Sequence, residues 1–278
     1  MTQPPTNAER PPRESLRERL RQKAVVAYYM VEDFIPRPPN FAAWLRLVRA
    51  PNLLTVPGDI LAGFLLAPAA TTGDWGQLLL AIPAGLLLYA AGLILNDIFD
   101  YAEDLRERPA RPLPSGAVSR EAAVAVALIC LWVAAFLAAF FDALPVALLL
   151  ILMIILYDAG MKRHPVVGPL LMGGCRAANL LMGATVAADR VWAGPIPLAG
   201  ALLLGIYIAG VTALARNETH AGTSFPPERI GRLLRMLIPL QALLGVAAIH
   251  RFPFNLLALV LLPLLPLHRR LARRFPPS

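Results

Sequence analysis

The feature that most limits what this chain can fold into is a succession of apolar runs, recurring from residue 52 to residue 267 with short polar breaks between them. Several are long enough to cross a bilayer core of roughly 30 Å. In hydrocarbon every backbone polar group must be satisfied from within. Leu- and Ala-rich runs that lack the alternation of a lipid-facing strand achieve this only as helices. The sequence therefore predicts an all-α, polytopic integral membrane bundle of about eight transmembrane helices. They are expected over 52–70, 76–96, 121–141, 144–158, 166–188, 194–215, 231–249 and 253–267. Basic residues give an independent check, because cytoplasmic loops collect Lys and Arg. Of 26 Lys and Arg residues, only Arg190 and Arg251 fall on the far side of this topology, and Arg176 lies within a span. The multi-pass arrangement then has both termini in the cytoplasm.

Three regions follow from the charge pattern. Residues 1–45 form a basic cytoplasmic arm, 46–268 the transmembrane domain and 269–278 a basic cytoplasmic tail. The arm lacks the apolar core of a secretory signal. Within it, 14–34 reads either as an interfacial helix, with Val25, Val26, Tyr29 and Met30 on its apolar face, or as a tail without fixed structure. The net charge of +8 sits beside apolar spans rather than along a soluble domain. Its natural partners are anionic membrane lipids, and nucleic acid is not expected. Cys130 and Cys175 lie inside spans without metal-ligand spacing, and the four histidines form no His-x-x-x-His pair. Zinc and serine-hydrolase chemistry have no support, nor is there a strand to precede a dinucleotide fingerprint.

The chemistry concentrates at the end of the second span, in Asn96-Asp97-Ile98-Phe99-Asp100-Tyr101-Ala102-Glu103-Asp104. On a continuing helix Asp97, Asp100 and Asp104 are spaced three and four residues apart, so they share a face within reach of a common cation, and Asn96 shares that face with Asp100. A polar loop containing Arg106, Arg108 and Arg111 comes next. Acids that hold a divalent cation, followed by arginines that contact phosphate oxygens, neutralise a diphosphate from two directions. The plainer alternative is a positive-inside loop with Pro turns, which leaves Asp97 and Asp100 at the bilayer edge without a purpose.

Asn96-Asp97-x-x-Asp100-x-x-x-Asp104, the loop Arg111-Pro112-Leu113-Pro114-Ser115-Gly116, and Tyr157 followed by Met161-Lys162-Arg163 together resemble the UbiA-type intramembrane prenyltransferases. That superfamily includes 4-hydroxybenzoate polyprenyltransferase and chlorophyll synthase, and the ordered match covers roughly 46–222. The resemblance implies a central cavity open to the cytoplasmic side, a magnesium cofactor, and transfer of a prenyl group from a prenyl diphosphate to an aromatic or other electron-rich lipophilic acceptor. It places Asn96, Asp97, Asp100 and Asp104 at the metal, with Lys162, Arg106, Arg108, Arg111 and Arg216 at the diphosphate. Asp97, Asp100, Asp104 and Lys162 become the catalytic set.

One motif departs from the family. Where the sixth span meets the cytoplasm the family carries a second acidic pair. Here Val211-Thr212-Ala213-Leu214-Ala215-Arg216-Asn217-Glu218-Thr219-His220-Ala221-Gly222 holds one acid, Glu218, as a further metal ligand, with Asn217 able to offer an oxygen and Arg216 to meet phosphate directly. In this the chain is similar to a divergent, EboC-like branch. It also opens an alternative function, a catalytically altered relative that binds or helps transport a prenylated or lipophilic molecule.

Asp59, Arg176 and Asn179 lie deep within spans, where a charge needs a partner. They either line the acceptor pocket or form a satisfied internal bridge, with Asp59 facing Arg176. Arg49 and Asn52, at the entrance of the first span, read as acceptor-side positions or as headgroup contacts. Tyr157 reads as a stacking residue for acceptor or prenyl group, or as part of the interfacial aromatic belt. Gly92, Gly173, Gly174, Gly183 and Gly205 are expected where helices approach closely.

Overall fold

The apolar runs do fold as helices. A computed structural model describes residues 40–67, 75–187, 194–216 and 227–275 and contains no strand among them. The chain divides into a unit of 1–40 and a unit of Phe41–Ser278. Residues 1–39 of the expected arm, its 14–34 helix among them, lie outside the described residues. The folded unit already begins at Phe41, with α1 (Phe41–Leu47), rather than at residue 46.

The first expected span is divided. After α1 come a four-residue turn of helix, α2 (Ala50–Leu53), and then α3 (Val56–Leu66). Each of these two carries a proline in its first turn, Pro51 and Pro57, at a position where the missing N–H has no helical partner to lose. Next come α4 (Trp75–Phe99), α5 (Tyr101–Glu107), α6 (Arg120–Ala139) and α7 (Leu144–Asp158). Ser119 starts α6 by accepting a hydrogen bond from the Ala122 N–H at 3.2 Å. Helices α8 (Val167–Thr185), α9 (Pro195–Arg216) and α10 (Pro227–Val246) follow. The last expected span is a 3₁₀ segment, Phe254–Leu261, joined to α11 (Leu264–Arg274). The arginines expected in a tail, Arg269 to Arg274, are therefore helical.

Four segments are long and apolar enough to cross a bilayer: Trp75–Phe99, Arg120–Ala139, Pro195–Arg216 and Phe254–Arg274. Ala50–Leu66 and Leu144–Asp158 are apolar but shorter. The 15 residues of α7 rise about 22 Å, less than the hydrocarbon core. Large apolar side chains stand outward from these helices, among them Leu128, Ile129, Trp132 and Phe136 on α6 and Leu202 and Ile206 on α9. A surface of this kind belongs against lipid, and the chain is an integral membrane protein.

Helix α8 is the centre of the bundle, packed against α3, α7 and α9. Its approach to α3 is backbone to backbone. A Cβ on Gly183 would collide with the main chain of Ile60, and one on Gly63 with the carbonyl of Leu180. On the opposite side Gly173 of α8 faces Gly205 of α9. Small residues of this kind let membrane helices gain the dispersion contacts that hold them together. Gly92 makes only ordinary van der Waals contact with Ile154, so it does not share this role.

Gly183→Ala should therefore force α3 and α8 apart and destabilise the bundle by about 1–3 kcal/mol. Gly76→Ala, where an added methyl meets open space, is the control. Thermal unfolding of the purified variants checks this, and equal midpoints for the two would contradict the close approach.

Candidate functional site

The carboxylates expected on one continuing helix are divided, with Asp97 near the end of α4, Asp104 on α5 and Asp100 joining the two. Asp100 interrupts the regular geometry between α4 and α5, yet its N–H still donates to Asn96 O at 3.0 Å and the Asp104 N–H to Asp100 O at 2.8 Å. Asp97 and Asp104, 4% and 2% exposed, converge on Arg111. Arg111 Nη1 is 2.7 Å from Asp104 Oδ2 and 3.8 Å from Asp97 Oδ1. Arg111 reaches them because the loop folds back on the bundle. The Ser115 N–H donates to Arg111 O, the Val118 N–H to Pro112 O, and Gly116 takes the left-handed conformation that closes the turn. Leu113 and Val118 anchor the loop beside Leu47 and Ile94. Arg108 adds a contact to Asp104 at 3.8 Å.

A second arginine approaches from the other side. Arg49, between α1 and α2, has φ 44° and ψ 60°, a conformation that side-chain-bearing residues seldom adopt. Its Nη2 lies 3.7 Å from Asp97 Oδ1. Backbone strain of this sort persists where surrounding structure enforces it, commonly at functional sites. Asn52 contributes its backbone here, its carbonyl accepting from Thr55 Oγ1 at 2.7 Å.

Asp100 turns to a different cation. Lys162 Nζ is 2.6 Å from Asp100 Oδ1 and 3.9 Å from Asp158 Oδ1, and Asn96 Nδ2 donates to that same Asp158 oxygen at 2.9 Å. Asp158, 4% exposed at the end of α7, is the acid that sequence reasoning missed. Its signal was present: a carboxylate closing an apolar helix four residues before a lysine. Lys162 itself stands on the 3₁₀ turn Met161–Arg163, which Arg216 holds by donating to the carbonyls of Lys162 and Arg163, the latter at 2.7 Å. Arg216 thus clamps the turn that carries Lys162. His164, at the end of that turn, accepts from the N–H groups of Val166 and Val167 through Nδ1, capping the start of α8. Tyr157 is half-buried within electrostatic reach of Asp158, Arg49 and Arg216.

The acids are consequently shared out between two groups of bases, Arg111 with Arg49 and Arg108 on one side, Lys162 on the other. Among the described residues no three His, Cys, Asp or Glu side chains converge on one point. Glu218 and Asn217 lie outside the described residues. Arg106 is exposed on α5 and makes no ion pair among the described residues. The donors nevertheless fit a hard divalent cation in kind, being carboxylate and amide oxygens. Asp97 Oδ1 is buried without a hydrogen-bond partner, so one lone-pair site at the centre of the group is open to a ligand.

The deeper polar residues form a separate group, in which Arg176 Nε and Nη1 and Asn179 Oδ1 are buried without hydrogen-bond partners. Arg176 Nη1 lies 3.2 Å from Asp59 Oδ2, and Arg176 Nη2 donates to both Thr55 O and Thr55 Oγ1 at 3.0 Å. Asn179 Nδ2 donates to Asp59 Oδ2 at 3.0 Å and Gln241 Nε2 to Asp59 Oδ1 at 2.6 Å. Gln241 also donates to Thr55 O at 2.7 Å, and the Arg176 guanidinium stands over the Tyr89 ring. The Asp59–Arg176 pair expected from charge is present, and both Asp59 oxygens are engaged. Gln241, Thr55 and Tyr89 had no sequence pattern to mark them.

The chain is thus an all-helical membrane bundle that gathers acids, arginines and a lysine at one end of its helices. A model of the UbiA prenyltransferase family matches residues 59–275, and the chain belongs to that family. It is 34% identical over 165 residues to the digeranylgeranylglyceryl phosphate synthase of Methanoregula boonei, covering 59% of this chain and 58% of that one. To the protein of the same name from Thermococcus kodakarensis it is 32% identical over 180 residues, covering 62% and 60%. The matched region spans somewhat more than half the length of these curated relatives. The fold is similar to that of a UbiA homologue from Archaeoglobus fulgidus solved with GPP and Mg2+. The TM-score is 0.52 at 16% identity, over 84% of this chain and 87% of that one.

If the deep group is an internal bridge, Asp59→Ala strands a buried guanidinium and should destabilise the protein by about 3–5 kcal/mol. The double variant Asp59→Leu/Arg176→Met should recover most of that loss. Thermal unfolding in detergent measures both, and a double variant no better than the single would remove the bridge interpretation.

Proposed function

We propose that this chain is a membrane prenyltransferase, moving a prenyl group from a prenyl diphosphate to an electron-rich lipophilic acceptor with magnesium assistance. The observation that carries the reading is the interleaving of Asp97, Asp100, Asp104 and Asp158 with Arg49, Arg111 and Lys162 at one end of the helices. In this reading the shorter helices also enter the bilayer. The prenyl tail lies in a central cavity opening at the end that bears Asp97, with both termini on the cytoplasmic side. Hydrocarbon helices hold such a tail without a separate binding domain.

Asn96, Asp97, Asp100, Asp104 and Asp158 are the residues that would hold the metal, with Glu218 as a further ligand. When bound there it neutralises charge on the departing diphosphate. The chain's own cations do the rest of that work. Arg111, Arg49 and Lys162 already stand on carboxylates, and a diphosphate gives them a second set of oxygens to which guanidinium geometry is well matched. Arg106, Arg108 and Arg216 frame the same region. The allylic carbon–oxygen bond breaks as the acceptor's electron pair forms the new bond to that carbon, and the acceptor then gives up its proton. Apolar helix walls keep water from the allylic cation. The named relatives point to a glyceryl phosphate lipid as one acceptor class, with an aromatic ring as the other. Tyr157 and Asn52 lie on the acceptor side of this reading, while the Asp59–Arg176–Asn179 group stands behind it.

A second reading rests on one observation. The place of the family's second acidic pair is held by Arg216, which is engaged with the loop that carries Lys162. A site with so few acids from this half suits a protein that binds or helps transport a prenylated molecule without transferring it.

Diphosphate release from geranylgeranyl diphosphate, followed with purified protein and a lipophilic acceptor, separates the two. Transfer predicts magnesium-dependent release that falls on the order of 100-fold in Asp97→Ala and Asp100→Ala. Asp158→Asn should lose about 10–100-fold through its hold on Asn96 and Lys162. Absence of release across prenyl lengths and acceptors, with prenyl diphosphate still bound, would establish the binding reading instead.

A further inference from the structure

A second concentration of charge stands where α10 meets α11. Arg235 of α10 lies within electrostatic reach of Arg232 on its own helix and of Arg269 and Arg273 on α11. Among the described residues none of these four pairs with a carboxylate. Positive-inside crowding explains arginines that remain in water. It does not explain His268, which is 3% exposed beside Arg235 with both ring nitrogens buried and lacking hydrogen-bond partners. Arg235 Nε is buried and unpartnered in the same way. Buried polar atoms are nearly always satisfied, so a group of them in one place marks where a ligand supplies the partners.

The chemistry of the missing partner follows from the donors. Every tautomer of imidazole carries at least one N–H, and Arg235 Nε–H is a second fixed donor. Three further guanidiniums, those of Arg232, Arg269 and Arg273, lie within electrostatic reach of Arg235. The ligand must therefore be rich in acceptors and carry more than one negative charge, which describes a phosphate monoester better than a carboxylate. The neighbouring surface says what the phosphate is attached to. The 3₁₀ segment that leads into α11 bears an open apolar groove lined by Pro253, Phe254, Leu256, Leu257, Val260 and Pro263. Pro263 is five residues before His268, about 8 Å along a helix axis. An acyl or prenyl chain lying in that groove brings its headgroup to the arginines.

We propose that α10 and α11 form a binding site for the phosphate monoester headgroup of a lipid, with His268 and Arg235 as buried donors and Arg232, Arg269 and Arg273 around them. The site does not depend on the transferase reading. Its ligand comes either from the bulk membrane, as phosphatidic acid, or from a phosphorylated prenyl acceptor. Because α11 packs on α2, directly after Arg49, the second source would bring acceptor close to the Asp97 end of the bundle.

Lipid retention by the full-length protein tests the proposal without using prenyl diphosphate. After exchange into detergent carrying phosphatidic acid, phosphatidylcholine or geranylgeranylglyceryl phosphate, native mass spectrometry counts what stays bound. Wild-type protein should retain phosphatidic acid at least tenfold over phosphatidylcholine. Arg235→Gln should lose that preference tenfold, whereas Arg270→Gln, an equal charge change outside the four, should keep it. Should Arg235→Gln fold poorly, the exposed Arg269→Gln gives the same comparison. Displacement of phosphatidic acid by geranylgeranylglyceryl phosphate assigns the site to the acceptor, and its failure to compete assigns the site to bulk lipid. Equal retention of phosphatidic acid and phosphatidylcholine, or equal behaviour of the Arg269 and Arg270 variants, overturns the site.

Discussion

The contact on which the rest of the site depends is Arg111 set between Asp104 and Asp97. Two carboxylates this buried at a helix end are tolerable only beside a cation, because the desolvation of an unpaired charge exceeds what packing returns. Arg111 reaches them from a loop 7 residues beyond Asp104, and holding them fixes that loop against Leu47 and Ile94. One interaction therefore neutralises the acids, orders the loop and sets the end of α4. It is also exchangeable. A guanidinium satisfied by carboxylate oxygens can be satisfied equally by phosphate oxygens, provided something else takes the carboxylates. In a transferase that something is a divalent cation arriving with the diphosphate, and the ground-state pairing keeps the site from carrying uncompensated charge before then.

The two polar layers of the bundle differ in the way that separates a site from a scaffold. In the deep layer, both oxygens of Asp59 are engaged, by Arg176, Asn179 and Gln241, and three helices are tied together through them. The acid of that group is fully engaged, while Arg176 Nε and Nη1 and Asn179 Oδ1 are buried without hydrogen-bond partners. In the outer layer Asp97 Oδ1 is buried without a hydrogen bond, its arginines stand at 3.7 and 3.8 Å, and Arg49 is held in a strained backbone conformation to reach it. Incomplete pairing in a buried place is where binding energy remains to be gained. The close backbone approach of α8 to α3 at Gly183 and Gly63 makes the deep layer rigid, which lets the outer layer stay incompletely satisfied without loosening the bundle.

What could be read from the chain beforehand follows the range of the contacts. The helical character of the apolar runs and the nearness of Asp97 to Asp104 across the turn at Asp100 are local, governed by 3.6-residue periodicity, and were legible. The Asp59–Arg176 pair is 117 residues apart but was legible, since two opposite charges deep in apolar spans have few ways to be satisfied. Asp158 escaped because its partner Asn96 is 62 residues away and its position reads as the ordinary end of a span. Gln241 escaped for the same reason, 182 residues from Asp59. Expecting one cation beneath three aligned acids overlooked that the chain's own Arg111 and Lys162 divide them, a matter of how two loops fold back rather than of helix spacing. The split at Leu54–Thr55 falls near the edge of the first expected span, between Pro51 and Pro57 in the first turns of α2 and α3.

Arg216 ties the end of α9 to the turn that carries Lys162. In a pseudo-symmetric site each half would contribute carboxylates. Here the sixth apolar run ends in a guanidinium that binds main-chain carbonyls of the Lys162 turn. That contact fixes the ammonium group between Asp100 and Asp158 at 2.6 and 3.9 Å. The acidic character that this half lacks at Arg216 is supplied by Asp158 from α7, already bridged to the first half through Asn96. The balance of charge at the end of the bundle is thereby shifted from metal ligands toward fixed cations. A fixed cation stabilises a leaving diphosphate with less charge density than a divalent ion but without needing one to be recruited. In the proposed transferase reading such a site relies more on the position of Lys162 than a two-motif site does, and the contact of Arg216 with the Lys162 turn secures that position.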